Sequence, residues 1–305
     1  MDTLAEVPTE LQSLPQYVVV TPARNEARFL ENTILSVVAQ DFLPLRWVIV
    51  SDGSTDGTDA IVERWAGQCA WIELLRMPER TERNFAGKAG AVRAGWERMD
   101  DLDYEVIACL DADITFEPDY FRFLLTRLQE DAVLGVVGTP YVDSTSEVYD
   151  FRFVSREHVS GACQVFRRRC LDAIGGYSAS RIGAIDSIAV ISARMKGWKT
   201  RCYTEKFSIH HRELGTAEHS TLKARYVLGC RDYLLGNHPL WEFCRVLYQM
   251  SKRPLLFRGL ALAFGYSQAW MKGMKRPVED DFVHFVRCEQ LARLRRFPMK
   301  LLGKE

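Results

Sequence analysis

The sequence predicts an α/β fold: a Rossmann-like sheet with helices on both faces, followed by a helical extension. Three observations lead there. First, short β-branched apolar runs alternate with segments of helical periodicity from residue 17 to about residue 140. That is the pattern of a parallel sheet covered on both sides. Second, each segment rich in acidic and turn residues falls just after a strand run, at the carboxyl ends where such sheets bind ligands. Third, from about residue 217 the pattern becomes helical.

The elements follow in order. Residues 1–15 read as a leader ending at Pro15, and 17–21 as a buried strand. A helix over 27–40 carries Leu30, Ile34, Val37 and Val38 on one face. A second strand over 47–50 runs into a turn-rich loop over 51–58. The next helix carries Ile61, Val62, Trp65 and Ala66, and a strand is expected near 71–75. Gly87-Lys-Ala-Gly90 opens a helix with Ala89, Val92, Trp96 and Met99 at helical spacing. A strand over 106–110 ends in Asp111-Ala-Asp113. Pro118 starts a helix with Phe121, Leu124, Leu125 and Leu128, and 133–139 is a strand. Residues 150–215 are mixed, with a turn at Gly175-Gly-Tyr177, a helix over 186–196 and a strand over 199–203. Helices follow over 222–235, 240–250, 254–273 and 281–296.

Bulk features narrow the function. The 40 basic and 40 acidic side chains cancel, which argues against general coating of nucleic acid. The eight cysteines are scattered without metal-ligand spacing, as expected of reduced core thiols in the cytoplasm. No secretory signal is visible in the acidic first residues. No apolar run reaches the ~18 residues of a membrane span; the nearest, 255–271, is broken by Arg258, Ser267 and Gln268.

The chemistry gathers at strand ends. In an extended chain alternate side chains share a face, so Asp111 and Asp113 can converge on one hard cation such as Mg²⁺ or Mn²⁺. A lone D-x-D is also common as a solvated turn. Asp56 suits an Asx turn, whereas Asp52, at the end of its strand, can accept from a nucleobase or ribose. Walker A and G-x-G-x-x-G patterns are absent, against kinase and dehydrogenase readings.

Taken together, these pieces resemble the inverting family 2 glycosyltransferases of the GT-A fold, of the bacterial polysaccharide-biosynthesis type. The resemblance rests on Val19-Val-Thr-Pro-Ala-Arg-Asn-Glu26, Ser36-Val-Val-Ala-Gln40, Val48-Ile-Val-Ser-Asp-Gly-Ser-Thr-Asp-Gly-Thr58, Gly87-Lys-Ala-Gly90, Leu110-Asp-Ala-Asp113, Gly161-Ala-Cys-Gln-Val-Phe-Arg167 and Ile174-Gly-Gly-Tyr177. Their order covers residues 17 to about 205.

The resemblance implies a mixed GT-A sheet over 16–215, a nucleotide-sugar donor with UDP favoured, and a metal-dependent inverting transfer. It implies that Pro22, Ala23, Arg24 and Glu26 line the nucleoside pocket and that Asp52 contacts the base. Lys88 would lie near the nucleoside or diphosphate. Asp111 would face the ribose or metal, and Asp113 would bind the metal. The family's base is usually the Asp of an acidic pair that starts a late helix. Asp186 keeps that position, although Ile185 replaces the acidic neighbour, and a helix N-cap is the alternative role. His210 or His211 would be a further metal ligand, since adjacent rings do not readily share one ion, and Arg212 would pair with a phosphate. The processive signature Q-x-x-R-W is absent, which favours adding one sugar per encounter.

The last segment, 216–305, interleaves bases (Lys252, Arg253, Lys272, Lys275 and others) with aromatic and aliphatic side chains. This suits peripheral contact with an anionic membrane presenting a lipid-linked acceptor. It also suits a helical subdomain packed on the sheet, and the two are compatible. The expected function is sugar transfer to a hydroxyl of a glycan or lipid-linked acceptor. A nucleotidyltransferase and a non-catalytic nucleotide-sugar binder are the alternatives.

Overall fold

A computed structural model describes residues 14–78, 85–142, 155–180, 183–212 and 221–301. Its main sheet begins with β1 (Tyr17–Ala23), β2 (Trp47–Asp52), β3 (Ile72–Met77) and β4 (Val106–Leu110). Between them run α1 (Leu30–Val38), α2 (Thr58–Ala66) and α3 (Phe85–Glu97). β5 (Ile114–Thr115) and α4 (Tyr120–Glu130) follow, then β6 (Leu134–Gly138) and β7 (Tyr141–Val142). β8 (Cys163–Arg167), α5 (Arg168–Ile174), α6 (Ile185–Met195), β9 (Lys199–Cys202) and β10 (Ser208–His210) complete this part. α7 (Thr221–Leu234), α8 (Pro239–Met250), α9 (Phe257–Met271) and α10 (Asp280–Leu301) come last.

The seven-stranded sheet has the order β3-β2-β1-β4-β8-β6-β9. It is mixed: β8 runs antiparallel to β4 and β6, and the other pairings are parallel. Strand side chains alternate between the faces, so each face builds its own core. Tyr17, Val19, Trp47 and Ile49 pack with Leu30, Ile34 and Val37 of α1 and with Phe121, Leu124 and Leu128 of α4. Val18, Val20, Val48 and Val50 pack on the other face with α3, α5 and α6 through Val92, Leu171 and Val190. A small second sheet has the order β5-β10-β7.

The differences from the sequence reading are local. α1 starts at Leu30 rather than 27, because residues 24–29 turn along the sheet edge with Asn25 at φ 56°. The strands β8 and β10 lay in the stretch over 150–215 read as mixed, and the two-residue strands β5 and β7 are too short for the sequence to announce. The expected leader falls almost wholly outside the described residues.

The last four helices are tied to the sheet domain. Phe282 and Val286 of α10 pack with Ala184 and Ile188 at α6. Arg194 of α6 makes a two-pronged ion pair with Glu289 of α10, at 2.8 and 2.9 Å. Among the described residues no helix is long and apolar enough to cross a membrane.

Candidate active site

Topology brings the chemical segments to one edge. β1, β2 and β4 are parallel neighbours, with Ala23 opposite Ser51 and Val20 opposite Cys109. Their carboxyl ends therefore carry residues 22–26, 51–58 and 111–113 side by side. β8 is antiparallel, so its beginning reaches the same edge: Cys163 pairs with Leu110, and the Asp111 N–H donates to the Ala162 carbonyl at 2.9 Å.

The loops that follow β1 and β2 are sewn together. The Glu26 N–H donates to the Thr58 hydroxyl at 2.8 Å, and the Thr55 N–H to the Asn25 side-chain oxygen at 2.8 Å. Asp56 accepts from the N–H groups of Thr58 and Ala27, at 2.9 and 3.1 Å. Burial raises the Asp56 pKa, but these bonds and the Thr58 hydroxyl outweigh it and hold the carboxyl below the usual range. Asp56 thus plays the Asx-turn role its spacing suggested. Pro22 and Ala23 end β1, Arg24 follows half-buried, and Asp52 is buried at the end of β2.

Charged groups converge beyond β4. Lys88 donates to Asp111 Oδ1 at 2.5 Å. Burial disfavours the Lys88 charge, yet Asp111, Asp186 and Asp113 together outweigh burial and hold its pKa above the ordinary value. Burial lifts the Asp111 carboxyl, and repulsion by Asp113 adds to it despite Lys88. Arg212 spans Glu26 and Asp113; its Nε lies 3.3 Å from Asp113 Oδ2. Four carboxylates (Glu26, Asp111, Asp113, Asp186) thus face two cations.

The second sheet fixes the histidines. His210 pairs with Ile114, and the His211 N–H donates to the Asp113 carbonyl at 3.0 Å. Strand alternation sends the two rings apart. His210 Nε2 lies 3.7 Å from Asp113 Oδ1. His211 Nε2 instead meets the Thr115 hydroxyl at 2.8 Å, with its ring stacked near Phe29.

The donor set suits a divalent ion. His210 Nδ1 lies 2.6 Å from the Arg212 carbonyl oxygen and 3.3 Å from the Arg212 backbone nitrogen, so it can donate to the one or accept from the other. When Nδ1 carries the proton of a neutral ring, Nε2 presents a lone pair beside the Asp113 carboxylate. A hard or borderline cation satisfies both. Among the described residues no group of three or more His, Cys, Asp or Glu stands assembled as a metal cage. Lys88 and Arg212 now occupy carboxylate oxygens such an ion would share.

Asp186 comes from a separate helix. It stands in the first turn of α6, whose N-cap is Ala184 at φ 58° with no side-chain cap bond. The cap position thus belongs to Ala184. Behind Asp186 is a support that sequence reasoning missed. Buried Gln164 donates to the carbonyls of Val159 at 2.9 Å and Asp186 at 3.4 Å, and accepts from the Tyr177 hydroxyl at 2.5 Å. A Cβ on Gly161 would lie 2.9 Å from Asp186 Cβ, so only glycine fits there. Both Gly161 and Gln164 stood in the shared motif, a signal without a role until the fold supplied one. His158 is a further neighbour: burial pushes its pKa down despite Asp186, and Arg194, Arg231 and Arg293 add to the effect.

The model of the family described as "Glycosyl transferase family 2" matches residues 18–182, just over half the chain. The chain belongs to glycosyl transferase family 2. Poly-beta-1,6-N-acetyl-D-glucosamine synthase of Staphylococcus aureus (strain COL) is 26% identical over 125 residues, 41% of this chain and 28% of that protein. An uncharacterized glycosyltransferase of Nostoc sp. (strain PCC 7120) is 31% identical over 122 residues, 39% of this chain and 34% of that protein. The chain thus matches about a third or less of these relatives' lengths. Among solved structures, the mannosyltransferase PcManGT from Pyrobaculum calidifontis, in complex with GDP-Man and Mn²⁺, superposes with a TM-score of 0.61. That match has 20% identity and covers 96% of this chain and 89% of the other. S. aureus TarS 1–349 in complex with UDP-GlcNAc gives 0.53 at 13% identity, covering 91% and 83%. The fold of this family 2 glycosyltransferase is GT-A.

Proposed function

We propose that the chain transfers a sugar, with inversion, from a nucleoside-diphosphate donor to a hydroxyl of a glycan or lipid-linked acceptor, in surface-polysaccharide biosynthesis. The observation that carries this reading is the pairing of Lys88 with Asp111 and of Arg212 with Asp113 at one edge of the sheet, with Asp186 close enough to act electrostatically on Lys88. A direct displacement needs that arrangement: leaving-group stabilisation on one side of the sugar and a proton acceptor on the other.

Pro22, Ala23, Arg24, Glu26 and Asp52 line the nucleoside end, and UDP is favoured through Asp52. Asp113, Asp111 and His210 Nε2 hold Mg²⁺ or Mn²⁺, while His211 stays with Thr115. The ion, when bound, offsets charge growing on the departing diphosphate. Arg212 and Lys88, released from their carboxylates, turn their charge to the phosphates. Asp186 accepts the proton of the attacking hydroxyl. Gln164, by gripping the Asp186 carbonyl, and Gly161, by giving the side chain room, position it. PcManGT with GDP-Man and Mn²⁺ and TarS with UDP-GlcNAc make a metal-bound nucleotide sugar the natural first donor to test. All eight cysteines are unpaired, in keeping with the reducing cytoplasm, where we place the enzyme.

A screen of nucleotide sugars for donor turnover with Mg²⁺ or Mn²⁺ tests the reading. One donor is expected to turn over and to stop when the cation is chelated. Turnover of a nucleoside triphosphate with release of pyrophosphate would instead favour a nucleotidyltransferase.

A further inference from the structure

α9 is built inside out. Its buried side carries Arg258, Gly259, Leu262, Gly265 and Ala269, mostly small or polar. Its outer side carries Phe257, Leu260, Phe264, Trp270 and Met271, each more than half exposed, with Trp270 at 67% and Met271 at 71%. An ordinary surface helix does the reverse. The small inner residues let helices touch. A Cβ on Gly265 would lie 2.0 Å from the Tyr226 carbonyl oxygen of α7, and one on Gly229 equally close to that of Leu262. Both neighbours of α9 thus sit on its small face, and the large apolar side chains are left facing out.

The turn before α9 extends the same surface. Leu255, Leu256 and Phe257 are 58–61% exposed. Leu256 has φ 67° and ψ −47°, and the Phe257 N–H donates to the Leu255 carbonyl at 2.8 Å. This is a γ-turn of the strained hand, rare for a bulky residue. Strain held at a turn that presents three apolar side chains to water points to use. α8 adds its own stripe of Leu240, Phe243 and Leu247. Exposed apolar patches of this kind mark interaction sites.

Charge selects the partner. From Phe243 to Val278 the chain has seven Lys or Arg and no Asp or Glu. Arg253, Lys272 and Lys275 are exposed at the two ends of α9. A second copy docked through the same face would oppose like charges across a two-fold axis. An anionic bilayer complements them, taking apolar side chains among its acyl chains and bases among its headgroups.

We infer that α9, the turn at Leu255–Phe257 and the adjoining stripe of α8 form a docking face for an anionic membrane. With 15 residues, about 22 Å at helical rise, α9 lies along the interface rather than crossing it. The inference does not depend on the donor, metal or base assigned above.

Flotation of the full chain with phosphatidylcholine vesicles, with and without phosphatidylglycerol, tests it. The protein floats with the anionic vesicles, and less so as salt screens the bases. The variant Leu255→Ser/Leu256→Ser/Phe257→Ser lowers the floated fraction about tenfold or more. The variant Lys272→Glu/Lys275→Glu removes most of the dependence on anionic lipid. Both keep the wild-type melting temperature, since the altered side chains are exposed. Protein that stays at the bottom with both vesicles overturns the inference. So does a dimer, seen by sedimentation velocity, that the serine variant dissociates while vesicles bind neither form.

Discussion

Gly161→Ala is a probe of Asp186 that leaves Asp186 itself unchanged. The added methyl would stand 2.9 Å from Asp186 Cβ, 3.1 Å from Cγ and 3.0 Å from Oδ2. Carbon atoms in ordinary contact sit about 3.5–4.0 Å apart, so the two groups must separate by roughly 0.5–1 Å. The closest atom is a Cβ fixed to the first turn of α6, so a side-chain rotation alone does not relieve the contact. Overpacking of this sort costs about 1–3 kcal/mol of stability. A reacting group displaced by about 1 Å loses up to ~100-fold in rate, equivalent to ~2.7 kcal/mol of barrier. The assay compares kcat for transfer with calorimetric binding of the nucleotide and Mn²⁺. We predict that kcat falls about 10- to 100-fold. Nucleotide binding stays within about twofold, because the donor loops lie apart from the altered contact. A folded Gly161→Ala protein with wild-type kcat would refute the reasoning, since the reaction would then be indifferent to where Asp186 stands.

Two further predictions concern titration and the metal. Burial, reinforced by Asp232 and only partly countered by Arg245, pushes Glu242 from its ordinary 4.5 up to about 8; the unfolded chain ionises first, so stability falls as pH rises through that window, by up to ~5 kcal/mol. Glu242→Gln therefore flattens the decline of melting temperature between pH about 5 and about 8, and an unchanged decline would contradict it. His210→Gln raises the Mn²⁺ concentration for half-maximal turnover at least about tenfold, whereas His211→Gln leaves it unchanged; equal effects would mean the two rings are wrongly distinguished.

Much of this was legible in the sequence for a physical reason. Strands such as Val18–Val20 and helices such as 120–130 announce themselves through local periodicity, and a parallel sheet gathers the residues just past each strand at one edge. Asp52, Asp111 and Asp113 could therefore be placed without coordinates. Non-local facts could not. Cys163–Arg167 has strand composition, but nothing local says that it inserts antiparallel between β4 and β6 and so delivers Gly161 to Asp186. The choice between His210 and His211 depends on which one pairs with Ile114, and that register is set by another strand. The aromatic side chains of α9 suit a membrane face and a face packed on the sheet alike in the sequence, and its packing through Gly259 and Gly265 decides for the outward face. The role of α10 is likewise a tertiary fact: the Arg194–Glu289 pair braces the helix that bears Asp186 from 95 residues away.

The central claim is that Asp186 removes the acceptor proton opposite the metal-bound diphosphate, and Asp186→Asn tests it most directly. Asparagine keeps the shape and leaves the backbone carbonyl that Gln164 holds, so fold and donor binding persist while proton acceptance is lost. In single-turnover transfer from a pre-bound donor, the rate is predicted to fall about 10²- to 10⁴-fold, with donor and Mn²⁺ binding unchanged. Transfer at the wild-type rate by this folded variant would contradict the account.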